Sequence, residues 1–275
     1  MKTISLPDEL NADASLSIHI YESAEELSKQ QVELNKNTFS FLQEGTKDVY
    51  FDNAAYSINS SQFLLMKSGN CLMTEKLSSD QQAYRSFLFF FSNQVVLDFL
   101  RKYELRPTKT NESYSTYFFD YDDFIKRFTD SLLDVSKLSK TTQKLLLQPK
   151  FEEIMLYLIE FNGVNFLYSL IRNSDDENRK FVQTIERNRL TKLTIKELAF
   201  ISSRSVSSFK RKFEENFNTS PSKWFQDKRL EHAAFILKSK AKRPSDIYEE
   251  IGYENLSSFI QAFKVKYGVT PKQYA

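Results

Sequence analysis

The C-terminal part of the chain contains two similar stretches, Ser205-Val206-Ser207-Ser208-Phe209-Lys210-Arg211-Lys212-Phe213 and Asn255-Leu256-Ser257-Ser258-Phe259-Ile260-Gln261-Ala262-Phe263. They correspond at an offset of 50 residues, and the correspondence continues to Pro221 and Pro271. The apolar residues of the first stretch, Val206, Phe209 and Phe213, match Leu256, Phe259 and Phe263 of the second, which is typical of a duplicated structural unit. The sequence therefore predicts that the same small fold occurs twice.

Each stretch is preceded in the sequence by residues that are typical of a shorter helix and then a tight turn. Thr194-Ile195-Lys196-Glu197 is a capping box. In the second unit Pro244 suits the first helical position, and Asp246 suits the positive end of the helix dipole. Turns are expected at residues 202–204 and 252–254. The pattern predicts helix-turn-helix units at about residues 194–216 and 244–267.

The second helix of each unit carries two phenylalanines four positions apart, and such a pair faces the interior. The polar positions between them then face outward, where hydroxyl, amide and cationic groups suit base edges flanked by phosphates. Amphipathic helices of any α-domain share this pattern, and it is the repeat that favours a DNA-reading role. The candidate DNA contacts are Ser205, Ser207, Ser208, Lys210, Arg211 and Lys212 in the first unit and Asn255, Ser257, Ser258, Gln261, Lys264 and Lys266 in the second.

A predicted helix over about residues 224–237 connects the two units. At 1.5 Å per residue this connector is about 20 Å long. A rigid connector can hold two reading helices roughly one DNA turn apart, about 34 Å, so that both enter successive major grooves on one face of the duplex.

The charge of the chain is divided unevenly. Residues 180–275 contain 19 basic and 10 acidic side chains, a net charge of +9, whereas residues 1–179 contain 19 basic and 26 acidic ones, a net charge of −7. A lysine-rich solvated surface would give the same count, but a basic C-terminal half also suits a polyanionic partner.

A set of C-terminal residues resembles the signature of the AraC family (AraC/XylS type). The resemblance covers about residues 190–275 and implies a seven-helix domain that binds promoter DNA, as an activator that contacts RNA polymerase. It assigns base reading to Ser207, Lys210 and Arg211, and to Ser257, Ser258 and Gln261. The matching residues are Arg229-Leu230, Ala233, Leu237, Ile251-Gly252-Tyr253, Ser258-Phe259, Phe263-Lys264, Gly268 and Pro271.

The N-terminal part has short β-like runs from Ile18 to about Phe91, followed by helical patterns over residues 121–139 and beyond Gln148. It resembles the family's regulatory domain, which is a cupin-like β-barrel followed by helices. The resemblance implies that one of these helices would provide the contact between the two copies of a homodimer. We therefore expect an α+β chain with a regulatory domain at residues 1–172, a linker at 173–179 and an all-α DNA-binding domain at 180–275, in which a connector helix joins the two units.

The amino-acid composition disfavours several other functions. A cupin-type metal enzyme is disfavoured because the chain has only two histidines, His19 and His232, and Cys71 is its only cysteine. We expect no catalytic activity, cofactor or metal. No export signal or membrane span is apparent, which predicts a cytoplasmic bacterial protein. Two inputs remain open for the regulatory domain, a small apolar or fatty-acyl effector and a regulatory protein.

Overall fold

The computed structural model describes residues 3–7, 14–51, 55–80, 82–106, 116–171, 177–240 and 242–274. The chain divides into two compact units, Met1–Glu177 and Asn178–Ala275. The first unit contains strands followed by helices, and the described part of the second unit contains helices. The expected α+β class is confirmed. Residues 173–176 of the predicted linker lie outside the described residues, and residues 177–179 are helical.

The described strands form two five-stranded sheets that share a core, as in a cupin-like fold. Neighbouring strands are antiparallel, except that β1 is parallel to β3. The first sheet has the order β1 (Ile4–Leu6), β3 (Leu27–Leu34), β8 (Gly69–Lys76), β5 (Thr46–Tyr50) and β6 (Ala55–Asn59). The second has the order β10 (Thr116–Asp120), β7 (Gln62–Met66), β4 (Asn37–Glu44), β9 (Tyr84–Phe91) and β2 (Leu16–Ser23).

The second sheet is buried on both faces. Phe39, Phe41 and Phe63 pack in the core shared with the helices of this unit. Leu42 and Leu64, which alternate with them along the strands, pack in the core shared with the first sheet. Burial on both faces explains why these strands are almost continuously apolar in sequence.

The helices of the first unit are α1 (Asn93–Lys102), α2 (Asp123–Ser136), α3 (Lys140–Asn162) and α4 (Phe166–Ile171). The pattern over residues 121–139 corresponds to α2. The prediction that the next helix begins beyond Gln148 is wrong, because Ser139 caps α3 nine residues earlier by accepting a hydrogen bond from the Thr142 amide at 3.3 Å. Pro149 lies inside α3, where the buried side chains of Leu147 and Phe151 hold the helix against the sheet.

The second unit consists of α5 (Glu177–Arg187), α6 (Ile195–Ile201), α7 (Val206–Phe217), α8 (Pro221–Lys240), α9 (Pro244–Ile247), α10 (Leu256–Tyr267) and α11 (Pro271–Tyr274). Helices α6 and α7 form the first helix-turn-helix unit, and α9 and α10 form the second. The connector is α8, which is longer than predicted, with 20 residues and a length of about 30 Å.

Candidate nucleic-acid interface

The sequence repeat is also a repeat in three dimensions. The ring centroids of Phe213 and Phe217 lie 4.5 Å apart, and those of Phe263 and Tyr267 lie 4.6 Å apart. Phe213 meets Trp224 edge-on at 5.7 Å and 79°, and Phe263 meets its counterpart Tyr274 at 5.2 Å and 78°. The two units therefore have the same aromatic core, which orients α7 and α10 in the same way within their units.

Matching caps fix the ends of the two reading helices. Ser205 Oγ accepts a hydrogen bond from the Ser208 amide at 3.2 Å, and Asn255 Oδ1 accepts one from the Ser258 amide at 2.9 Å. Both N-caps were predicted and are confirmed. At the C-termini, Asn218 and Gly268 adopt left-handed conformations, with φ of 52° and 75°.

The turns before the reading helices differ in length. The left-handed residue of the first turn is Ser203, with φ 54°, and one residue separates it from the N-cap Ser205. In the second turn the left-handed residue is Gly252, with φ 87°, and two residues separate it from Asn255. The reading helices α7 and α10 are related by an offset of 50 residues. Because the second turn is one residue longer, the helices before the turns, α6 and α9, are related by an offset one residue shorter.

The structure exposes the polar face of each reading helix. Phe209, Phe213, Phe259 and Phe263 are fully buried. Most of the predicted contact residues are exposed, and Ser208, Lys212 and Lys266 are partly buried. The exposed ones are Ser205, Ser207, Lys210, Arg211, Asn255, Ser257, Ser258, Gln261 and Lys264.

The cations of these faces fall into two groups. Within the described residues Lys210, Arg211 and Lys264 take part in none of the ion pairs. Lys212 lies 3.9 Å from Glu215, one turn along α7. Unpaired exposed cations can meet a phosphate without first breaking an ion pair, so the first group is better suited to DNA contact.

Lys266 contacts the connector helix. Its Nζ donates to the backbone oxygen of Asp227 at 2.9 Å, and it lies 3.1 Å from Asp227 Oδ1 and 3.1 Å from Glu231 Oε1. Burial alone would lower the pKa of Lys266, but the hydrogen bonds to Asp227 and Glu231 outweigh it and raise that pKa above its ordinary value. Lys266 therefore ties α10 to α8, a role that its position in the sequence did not reveal.

In the described part of the chain no group of three or more His, Cys, Asp or Glu side chains could hold a metal ion. No helix built from the described residues is long and apolar enough to cross a membrane.

Two family models match the chain, in different units. Residues 37–170 match a model described as the ExsA N-terminal regulatory domain, and residues 188–275 match one described as a helix-turn-helix domain. The chain belongs to the AraC family of transcriptional regulators. This AraC-family chain thus has the family's N-terminal regulatory domain as well as its helix-turn-helix domain.

The individual proteins that resemble this chain do so at low sequence identity or over part of their length. The AraC-family chain is 26% identical over 129 residues to the virulence regulon transcriptional activator VirF of Yersinia enterocolitica, which covers 46% of this chain and 48% of VirF. It is 34% identical over 80 residues to an uncharacterized helix-turn-helix-type transcriptional regulator of Haemophilus influenzae, or 29% of this chain and 27% of that protein. The chain thus spans less than half the length of these relatives. An apo ToxT variant from Vibrio cholerae matches 95% of this chain and 97% of its own at 12% identity, with a TM-score of 0.45.

Proposed function

We propose that this AraC-family chain is a cytoplasmic, sequence-specific DNA-binding regulator that activates promoters in contact with RNA polymerase. In this proposal α7 and α10 read successive major grooves, and the chain has no enzymatic activity. The observation that carries it is the duplicated core, which presents two exposed polar helix faces from a unit rich in basic residues. Such duplication suits a partner that repeats along its length, as the grooves of a double helix do.

A footprint on DNA upstream of the chain's own gene tests this function. We expect two protected tracts about one helical turn apart. Binding should be at least about 1,000-fold tighter than to a random-sequence duplex at the same salt concentration. Equal affinity for both duplexes would contradict sequence-specific regulation. A reporter fused to the protected promoter then separates activation from repression.

Among the cavities lined by described residues of Met1–Glu177, the one between the two sheets offers little space for an effector. The cavity between the two sheets has a volume of about 50 Å³, whereas pockets for small ligands typically measure about 300–1,000 Å³. Lys47 and Glu75 line it, 3.4 Å apart, and Lys47 donates to Ser40 Oγ at 3.1 Å. Burial would lower the pKa of Lys47, but Tyr84 and Glu75 beside it outweigh burial and raise that pKa, which keeps Lys47 charged. A fatty-acyl chain would have to part the sheets to enter.

A groove between β2 and α3 is a better place for a small effector. Its volume is about 420 Å³, and its lining includes Leu16, Ile18 and Leu147 together with Lys140 and Lys144. An apolar body with an acidic head would match this mixture of apolar walls and cationic ends. This groove supports the small-ligand reading.

The outer face of α3 supports the alternative, control by a protein partner or a second copy. Leu145 is 71% exposed and Leu156 is 40% exposed. They lie about three helical turns apart and therefore on one face of the helix. Exposed leucines in register on a helix are typical of protein contacts.

Two measurements distinguish these inputs. Native mass spectrometry with octanoate should show one bound molecule that Lys144→Met removes, if the groove is the effector site. Sedimentation velocity should show a dimer that Leu145→Glu dissociates, if α3 is the contact face. A monomer that also binds no octanoate would leave a heterologous protein as the input of this unit.

A further inference from the structure

The connector helix α8 contributes a cation to the junction between the two helix-turn-helix units. Arg229 lies at the middle of α8, and its aliphatic stem packs on the turn before α10. A methyl group added at Gly252 would lie 3.3 Å from Arg229 Cδ, 3.7 Å from its Nε and 3.8 Å from Lys192 Cγ. The Arg229 stem therefore lies against the second turn, and the Lys192 side chain lies near the same glycine.

Arg229 has donors that the protein does not use. Its Nε is buried and has no hydrogen-bond partner among the described residues. The carboxylates of α8 are engaged elsewhere, since Asp227 and Glu231 pair with Lys266, and Glu231 also pairs with Lys228. A buried donor without an acceptor is unfavourable, so the guanidinium of this partly exposed side chain favours an acceptor from outside the chain.

The surroundings of Arg229 suit an anion. Lys192 lies two residues before Thr194, the N-cap of α6, and Gly252 lies three residues before Asn255, the N-cap of α10. Arg229 Cδ and Lys192 Cγ both lie close to Gly252, so two cationic side chains meet at this corner of the second turn. Guanidinium binds phosphate through parallel hydrogen bonds, and the stem contact with Gly252 sets its orientation before the ligand arrives.

We propose that Arg229 is a phosphate-binding residue, which contacts the DNA backbone between the two major grooves that α7 and α10 enter. The proposal rests on the proposed function. A duplex that meets both units runs past the connector, and the proposal places phosphates of the stretch between the two grooves against Arg229. The contact carries no base information, so it acts equally on all DNA sequences.

The test measures the salt dependence of the full chain binding to a random-sequence duplex of about three helical turns, with Arg229→Met as the variant. Methionine keeps an apolar stem on Gly252 and removes the charge. The slope of log K against log salt should become shallower by about 0.9, the loss of one phosphate contact. Affinity at low salt should fall about tenfold. The matched control is Lys238→Met on the same helix, whose Nζ lies over the Tyr274 ring at 4.5 Å and whose loss should leave the slope unchanged.

A purely structural role for Arg229 predicts the opposite pattern. Arg229→Met would then lower the melting temperature and leave the salt slope unchanged, which would overturn the proposal. Should the variant misfold, the Nε–H resonance of Arg229 in the wild-type chain, identified by its absence in Arg229→Lys, gives the answer. A shift of this resonance on adding the duplex supports the contact, and an unchanged resonance overturns it. Random-sequence DNA keeps this result separate from the footprint, which alone tests sequence-specific regulation.

Discussion

In the first helix-turn-helix unit the outward face of α7 carries Lys210 and Arg211, whereas the corresponding positions of α10 are Ile260 and Gln261. The aromatic cores of the two helix-turn-helix units have nearly the same ring spacing. In the second unit Lys266 also ties the reading helix to the connector through the ion pairs described above. The comparison indicates a division of labour on a common frame. We expect the first helix-turn-helix unit to supply charge for phosphate contact, and the second to supply neutral polar groups on a helix that Lys266 ties to the connector.

The largest effect should come from removing the same ring in each core. Phe213→Ala and Phe263→Ala should each lower the free energy of unfolding by about 3–5 kcal/mol, because both rings are fully buried among aromatic neighbours. Denaturant unfolding followed by the fluorescence of Trp224, the single tryptophan, measures this. A large loss for one variant and a loss under about 1 kcal/mol for the other would break the equivalence of the two cores.

DNA affinity should separate the two outward faces. Arg211→Ala and Lys210→Ala should each weaken binding to the footprinted site by about 1–3 kcal/mol and also make the salt slope shallower. Gln261→Ala should weaken specific binding with the salt slope unchanged, because an amide releases no counterion. Gel shifts over a salt series give both quantities. A change of slope for Gln261→Ala would contradict the division of labour.

The left-handed C-caps give a smaller, matched comparison of stability. Gly268→Ala should cost about 1 kcal/mol, because φ is 75° and a Cβ there meets no atom within 4 Å, so conformational strain is the whole effect. Asn218→Gly should stabilise the first helix-turn-helix unit by a few tenths of a kcal/mol, because glycine adopts this conformation more readily than asparagine. Thermal unfolding checks both, and a destabilised Asn218→Gly would mean that the asparagine side chain has another role.

The smallest effect should come from the tie between α10 and α8. Lys266→Met should lower stability by less than about 1 kcal/mol, because the ion pairs are partly exposed. It should leave the DNA salt slope unchanged, whereas Lys264→Met should make that slope shallower by about 0.9. If Lys266→Met changes the slope as much as Lys264→Met does, Lys266 is a phosphate contact after all.

The pH dependence of this tie follows from the two shifts. Burial raises the pKa of Glu231, but hydrogen bonds from Lys228 and Lys266 outweigh it and lower that pKa below 4.5. The stabilisation from Glu231 is therefore complete above pH 4.5 and is lost as the pH falls through the lowered value. The pKa of Lys266 is raised above 10.5, so its contribution is complete below pH 10.5 and is lost above the raised value. Between these limits the stability difference between wild type and Lys266→Met should be constant with pH.

Local signals carried most of what the sequence could predict. The capping box at Thr194, the N-caps Ser205 and Asn255 and the paired phenylalanines depend on neighbours within one or two helical turns, and the structure confirms them. The start of α3 was placed too late because Pro149 looked like a first-turn residue, while the buried side chains around it keep the helix continuous.

What the sequence could not predict depends on contacts between distant residues. The ion pairs of Lys266 join residues 39 and 35 positions apart, and no local pattern marks them. In the sequence Arg229 stands out only as part of the AraC-type signature, because its unused donor becomes apparent only in the folded chain, beside Gly252. The one-residue difference between the two turns was hidden because the repeat was aligned on the reading helices.

The connector also limits which DNA the protein can use. Trp224 and Phe225, at the start of α8, pack on the first core, and Leu230 and Leu237 pack on the second. Because one continuous helix forms a wall of both cores, neither unit can swing toward a displaced target without opening its own interior. Inserting about five base pairs between the two target sequences, half a turn of DNA, should therefore abolish simultaneous binding, while inserting a full turn should not restore it, since the distance itself is built into the helix.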